Sequence, residues 1–178
     1  QFEKEKKLIK EKNYEFINKW KSRKDYLKDP EILKQALDEY ENLSRNHGTG
    51  GNPVFYLSLK HNLDQNNPEL KARINKLKEF SLKIANDIEF FTLRLAKVPK
   101  KVQKRFLNSS KLSEYKHFLE VLFKESKYLL SEKEEKILNL KMSPAYINWV
   151  QMTSSFLSKQ EKDILNEEGK KETKNFSE

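Results

Sequence analysis

The sequence predicts an all-α fold: a multi-helix domain of about seven or eight helices, one of them long (about 68–96), with a short polar C-terminal tail. Three observations predict it. Apolar residues recur at spacings of three and four along almost the whole chain, which is the period of a helix with one buried stripe. Glycine is scarce, and three of the four glycines sit together in "HGTGGNP", His47 to Pro53. Alternating apolar and polar residues, the mark of a half-buried strand, are hard to find. At 178 residues the chain has the size of one domain and can bury a core without staples. Residues 1–160 are read as the helical domain. Residues 161–178 are read as a polar tail or the start of a connection to a further domain. No repeat of solenoid length recurs.

The elements follow in order. A first helix runs from about Glu3 to Lys24, with Leu8, Ile9, Phe16, Ile17 and Trp20 as its stripe. A second starts at Asp29–Pro30, because Asp caps a helix and Pro is tolerated at its first position. Ile32, Leu33, Ala36, Leu37, Tyr40 and Leu43 form its inner face, and it stops at the glycine loop. "VFYLSLKHNLDQNN" suits a helix better than a strand, since a lone strand has no partner. Asn67–Pro68 repeats the cap-plus-proline start and opens the long helix. The end of that helix, "IEFFTLRLA", is apolar on several sides and should be buried between neighbours. Pro99 closes it. A short helix then turns Val102, Phe106 and Leu107 inward, and the next, from about Lys111, turns in Leu112, Tyr115, Phe118, Leu119 and Leu122. The stretch "KYLLSEKEEKIL" marks another helix start. Ser143–Pro144 opens the last one, with Tyr146, Trp149, Val150, Thr153, Phe156 and Leu157 on one face. A partner-facing surface is foreseen over Trp149 or the Phe90–Phe91 pair.

Composition narrows the function. The net charge is +9, and charged residues make up 35% of the chain. The basic excess is nearly all lysine, with arginine only at Arg23, Arg45, Arg73, Arg94 and Arg105. Specific phosphate and base readout favours the guanidinium fork, so a solvated lysine face is preferred over nucleic-acid binding. Cysteine is absent, which excludes disulfides and thiolate metal sites and fits a reducing, cytoplasmic setting. No apolar run reaches the roughly 18 residues of a membrane span, and no signal-peptide pattern is present. Gln1 is not an initiator residue, so the natural start is expected to lie upstream.

No residue is assigned to catalysis, to a metal or to a cofactor, and no substrate-binding residue is assigned. The three histidines, His47, His61 and His117, include no pair four apart, and H-E-x-x-H is absent. His117 is read as a partly buried, hydrogen-bonded imidazole and His47 as solvated. The glycine loop lacks the phosphate-cradling pattern. No nucleophile elbow appears. The basic cluster "KVPKKVQKR", Lys97 to Arg105, could meet an acidic partner or a peptide carboxylate, but a solvated helix start explains it more simply. The sequons at Asn42, Asn108 and Asn175 are read as accidental. Ser131 and Glu134 stand in capping-box spacing: Ser131 can accept from the Glu134 N–H, and Glu134 can reach back to the Ser131 N–H. Glu132, Glu134 and Glu135 would then meet the positive end of the helix dipole rather than a metal.

Five pieces in order resemble the N-terminal helical domain of the oligoendopeptidase F family, zinc metallopeptidases related to thimet oligopeptidase. They are the D-P start in "YLKDPEILKQALDEYENL", the F-F helix end in "IANDIEFFTLRL", the Y-x-x-F-L-E helix in "LSEYKHFLEVLF", "LSEKEEKIL", and the tryptophan helix "SPAYINWV". The resemblance covers about Lys19 to Lys159. It implies a helical clamshell in which this region is one wall of a channel for short peptides. It also implies zinc held elsewhere by H-E-x-x-H and a downstream glutamate. The implied partners are the catalytic domain of the same parent chain and an oligopeptide substrate; composition, not the resemblance, argues against a membrane partner and disfavours nucleic acid. No catalytic residue carries over to this chain, and the isolated segment is expected to be inactive. The alternative is a basic all-helical binding module that docks a protein or nucleic acid and is not an enzyme.

Overall fold

A computed structural model describes residues 2–49, 52–64 and 67–175. It is all-helical apart from one small hairpin. The helices are α1 (Phe2–Trp20), α2 (Pro30–His47), α3 (Asn52–Leu63), α4 (Pro68–Ile88), α5 (Phe90–Ala96), α6 (Lys100–Leu107), α7 (Lys116–Glu125), α8 (Glu132–Met142) and α9 (Asn148–Leu157). Short 3₁₀ turns at Asp25–Leu27, Ser110–Tyr115 and Ser126–Tyr128 join them, and a π-helical stretch, Ser143–Ile147, lies between α8 and α9. Two strands follow, β1 (Glu161–Leu165) and β2 (Lys171–Asn175).

Local chemistry sets the helix starts. The Asp29 carboxylate accepts from the N–H groups of Glu31 and Ile32, at 2.7 and 3.2 Å, and Pro30 takes the first helical position. Asn67 does the same for Glu69 and Leu70, both at 3.1 Å. These are the orphan donors that a helix N-terminus cannot satisfy internally. The long helix expected over 68–96 is present as α4 and α5. At Glu89 between them the backbone stays helical (φ −58°, ψ −29°), and the Leu93 N–H still donates to the Glu89 carbonyl at 3.1 Å. Three-residue turn bonds, from the Lys97 N–H to the Arg94 carbonyl and from the Val98 N–H to the Leu95 carbonyl, both at 3.3 Å, close the run before Pro99.

The core lies where α1, α2, α5, α6 and α7 meet. Trp20, Tyr26, Leu33, Phe91, Leu95, Phe106 and Leu119 are fully buried within it. Phe91 sits at its centre: edge-on to Phe16 at 5.4 Å, stacked on Tyr26 at 5.2 Å and tilted against Tyr40 at 5.1 Å. Each such pair adds about 0.5–1.5 kcal/mol beyond area burial. The Trp20 indole donates to Glu39 at 2.8 Å, tying α1 to α2 through a satisfied polar handle. The expected burial of "IEFFTLRLA" is realised: Phe90, Phe91, Leu93, Leu95 and Ala96 are all buried.

Four expectations are corrected. The Phe118 side chain is exposed rather than inward, and His117 beside it is exposed too. Ser143–Pro144 does not start a helix. Helical backbone runs from α8 through the π stretch into α9, and the wide turn accommodates a proline that has no N–H for the Leu140 carbonyl and a ring that crowds it. The stripe on α9 faces the opposite way from a core stripe. Trp149 and Phe156 are 62% and 64% exposed, whereas Gln151 and Ser155 are half-buried and Ser158 is buried. The polar stretch after α9 forms an exposed antiparallel hairpin over residues 161–175, pairing Glu161 with Asn175 through Leu165 with Lys171. Its turn is built by Asn166, whose side chain accepts from Glu168 and Lys170 at 3.0 and 2.9 Å, and by Gly169 at φ +75°.

Candidate functional surface

The capping box is formed as its spacing predicts. The Glu134 N–H donates to Ser131 Oγ at 3.3 Å, and the Ser131 N–H donates to Glu134 Oε2 at 2.8 Å. Glu135 accepts from the Leu130 N–H at 2.9 Å. The Ser131 hydroxyl and then the Ser131 backbone hold the Glu134 carboxyl below its ordinary range. These carboxylates are committed to backbone N–H groups.

The other singled-out residues do not converge either. Among the described residues, no group of three or more His, Asp or Glu side chains could hold a metal ion. His47 is half-buried at the end of α2, His61 is half-buried on α3 and His117 is exposed on α7, three separate places. Gly50 and Gly51 of the glycine loop lie outside the described residues, as does Ser177 of the last sequon. Two cations of the basic cluster are used as cross-links. Lys97 donates to the Leu130 carbonyl and Arg105 to the Lys28 carbonyl. Arg94, just before the cluster, donates to the Lys21 carbonyl at 2.6 Å. Lys21 and Lys28 follow the ends of α1 and of the first 3₁₀ turn, where carbonyls lack intrahelical partners, so these cations close chain ends. No helix among the described residues is long and apolar enough to cross a membrane.

The most distinctive surface is the α8–α9 arm. No apolar residue of either helix is buried. On α8 the side turned toward the body is polar: Glu132, Glu135, Lys136 and Asn139 are half-buried. Asn139 donates to Asn86 at 3.0 Å and to Glu89 at 3.1 Å, clasping α8 to the end of α4. On α9, Lys71 of α4 donates to Ser155 at 2.6 Å. Ile137, Leu138, Leu140, Met142, Tyr146 and Trp149 are all at least half exposed, at 50–68%. On α9 the half-buried and buried positions are polar, so its polar face is turned in; α8 is mixed, because Leu140 and Met142 also border the cavity beneath it. Beneath the arm, a cavity of about 680 Å³ opens between α3, α4 and α8, with Val54, Ile74, Leu77, Leu140 and Ile147 in its wall. Sequence reasoning found the apolar residues of α9 and missed their direction.

The fold and this surface define a helical segment with an aromatic core and an outward apolar face on α9. Comparison with known proteins adds a family resemblance. Residues 94–159 match the N-terminal family model described as Oligopeptidase F, a span running from α5 to just past α9. The chain is also similar to the curated Oligoendopeptidase F homolog of Borreliella burgdorferi (strain ATCC 35210 / DSM 4680 / CIP 102532 / B31). It is 25% identical to it over 125 residues, covering 70% of this chain and 20% of that relative. The chain thus spans about a fifth of the length of the curated relative it matches. No solved structure matches it. Both findings support the resemblance to the N-terminal domain of oligoendopeptidase F.

Proposed function

We propose that this chain is the N-terminal helical wall of a zinc-dependent oligoendopeptidase, with the catalytic domain in another part of a longer cytoplasmic polypeptide. In this role it borders a channel that admits short peptides and contributes no catalytic group. It acts on neither membranes nor nucleic acids. The observation that carries the proposal is the Oligopeptidase F match over residues 94–159. The capping box and the tryptophan helix both fall inside that span. The described residues of this chain do not fit a zinc site, since no three potential ligands come together. In this proposal, zinc and the water it activates lie in the other part.

The test joins sequence and activity. The reading frame that encodes this chain should also encode H-E-x-x-H, and the longer protein should cleave oligopeptides in a zinc-dependent way. The 178-residue chain alone should bind no stoichiometric zinc and cleave nothing. Zinc-dependent turnover by the chain alone would contradict the assignment. A reading frame without H-E-x-x-H would also contradict it, and would favour a non-enzymatic binding module, a role the outward apolar arm also suits.

A further inference from the structure

We propose that the outer face of α8–α9 is the seam on which the remaining polypeptide of the longer protein docks. This rests on the proposed function above and identifies the surface that joins the two parts. Three observations carry it. First, α9 and the turn before it show water their apolar side and the body their polar side, the reverse of an ordinary surface helix. Tyr146, Trp149, Met152 and Phe156 stand 55–68% exposed, while Ser158 is buried and Ser155 is held by Lys71. Second, the α9 part of this face is free of charge, whereas α8 carries exposed Lys133, Glu134 and Lys141. Between Lys141 and Lys159 no Asp, Glu, Lys or Arg occurs, in a chain that is 35% charged. Loss of charge together with Trp, Tyr, Phe and Met is the composition of the dehydrated centre of an interface, not of a solvated surface. Third, the arm lies within the 94–159 span that matches Oligopeptidase F, and most of the curated relative's length lies beyond what this chain covers. A segment of this kind therefore sits in a much longer polypeptide. The occupant is an apolar, uncharged surface of that polypeptide, because a charged surface would be desolvated against Trp149 and Phe156 without a partner.

A second copy of this chain is the competing occupant, and the measurement separates the two. The chain has no cysteine, so Phe156→Cys and Lys101→Cys each place a single thiol in it, one on the arm and one at an exposed position of α6. Labelling with a maleimide is followed at each position by peptide mass spectrometry, in the 178-residue chain and in the full polypeptide of the same reading frame. In the short chain, both positions should label at similar rates. In the full polypeptide, labelling at position 156 should slow at least about tenfold, as expected where surrounding contacts exclude water. Position 101 should stay unchanged. Equal labelling at position 156 in the two proteins would overturn the seam and leave the peptidase assignment standing. Slow labelling at 156 in the short chain, with a dimer in sedimentation, would overturn it in favour of a second copy. A reading frame with no further domain would remove both the seam and the proposed function. If the two parts are expressed separately, Trp149→Ser combined with Phe156→Ser should weaken their association about 30-fold or more. The thermal transition of the 178-residue chain should stay in place, which distinguishes lost docking from lost folding.

Discussion

The α1–α2–α5 core and the α8–α9 arm draw on the same kinds of residue to opposite ends. Both contain a tryptophan and large apolar side chains. In the core, Trp20 is fully buried, and Phe91 touches three other rings. In the arm, Trp149 stands 62% exposed, and the polar contacts on the inner side of the arm run from Asn139 to Asn86 and Glu89 and from Lys71 to Ser155. Hydrophobic burial and ring contacts hold the first region. A few hydrogen bonds hold the second, and each of these is worth only about 0.5–1.5 kcal/mol net. Apolar composition alone therefore does not identify a core. What matters is which face of the helix is turned inward.

That contrast can be broken or sharpened by substitution. The largest effect is expected at the core centre. Phe91→Ala should destabilise the chain by about 3–5 kcal/mol in a denaturant titration, since it leaves a cavity among Phe16, Tyr26 and Tyr40. Phe156→Ala should stay within about 0.5 kcal/mol of the parent in the same titration, as a surface change does. Equal losses at the two positions would erase the distinction.

The polar seam comes next. Asn139→Ala removes both donors that reach Asn86 and Glu89, where Glu89 Oε2 is already buried without a partner among the described residues. About 1–3 kcal/mol should be lost, the cost of leaving a buried acceptor unsatisfied. The loss should appear as faster proteolysis within residues 130–158 before any cut in α1 or α2. Smaller still are the caps. Asp29→Ala and Ser131→Ala each remove a side-chain acceptor at a helix start, worth about 1 kcal/mol. Asp29→Ala should lower the main thermal transition because α2 belongs to the core. Ser131→Ala should only loosen α8, read as faster amide exchange there.

The smallest effect is in the pH dependence. Partial burial pushes the Asp38 carboxyl up, but hydrogen bonds from Tyr115 and Lys34 and the ammonium charge outweigh it, so the group ends below its ordinary range. The Arg23 guanidinium holds Asp25 low by its hydrogen bonds, against partial desolvation. A carboxyl lowered in the folded state binds fewer protons there than in the unfolded chain. Its stabilisation is present above the unfolded value, near pH 4, and is lost as pH falls through the folded one. The melting temperature should fall on acidification, and Tyr115→Phe should reduce that fall. Burial, then the hydrogen bonds to Asp38 and Glu41, raises the Tyr115 hydroxyl, so its stabilisation is lost only as pH climbs past about 10.

Where the controlling physics was local, the sequence was legible. Asp29–Pro30, Asn67–Pro68 and Ser131–Glu134 each placed a helix start, because the cap and the N–H groups that donate to it lie within a few residues of each other. Phe90 and Phe91 were readable as core because their helix is apolar on several sides and has no polar face to turn inward. The direction of α9 was not readable. Periodicity says which residues share a face; it does not say whether the body or the solvent meets that face. The answer lay with Lys71, 84 positions away in the chain, and its bond to Ser155. The hairpin escaped for a different reason. Every residue of β1 is exposed, so burial leaves no alternating pattern, and only Asn166 and Gly169 signal the turn. Lys97 and Arg105 looked like a basic patch because their acceptors are backbone carbonyls, which a sequence does not display.

Native-state hydrogen exchange of the 178-residue chain tests the division most directly. Amides of α1, α2 and α5 should exchange only through global unfolding. Amides of α8 and α9 should exchange much faster, through local opening across the polar seam. Uniform protection from α1 through α9 would contradict the account, because it would show that the arm is held as firmly as the core.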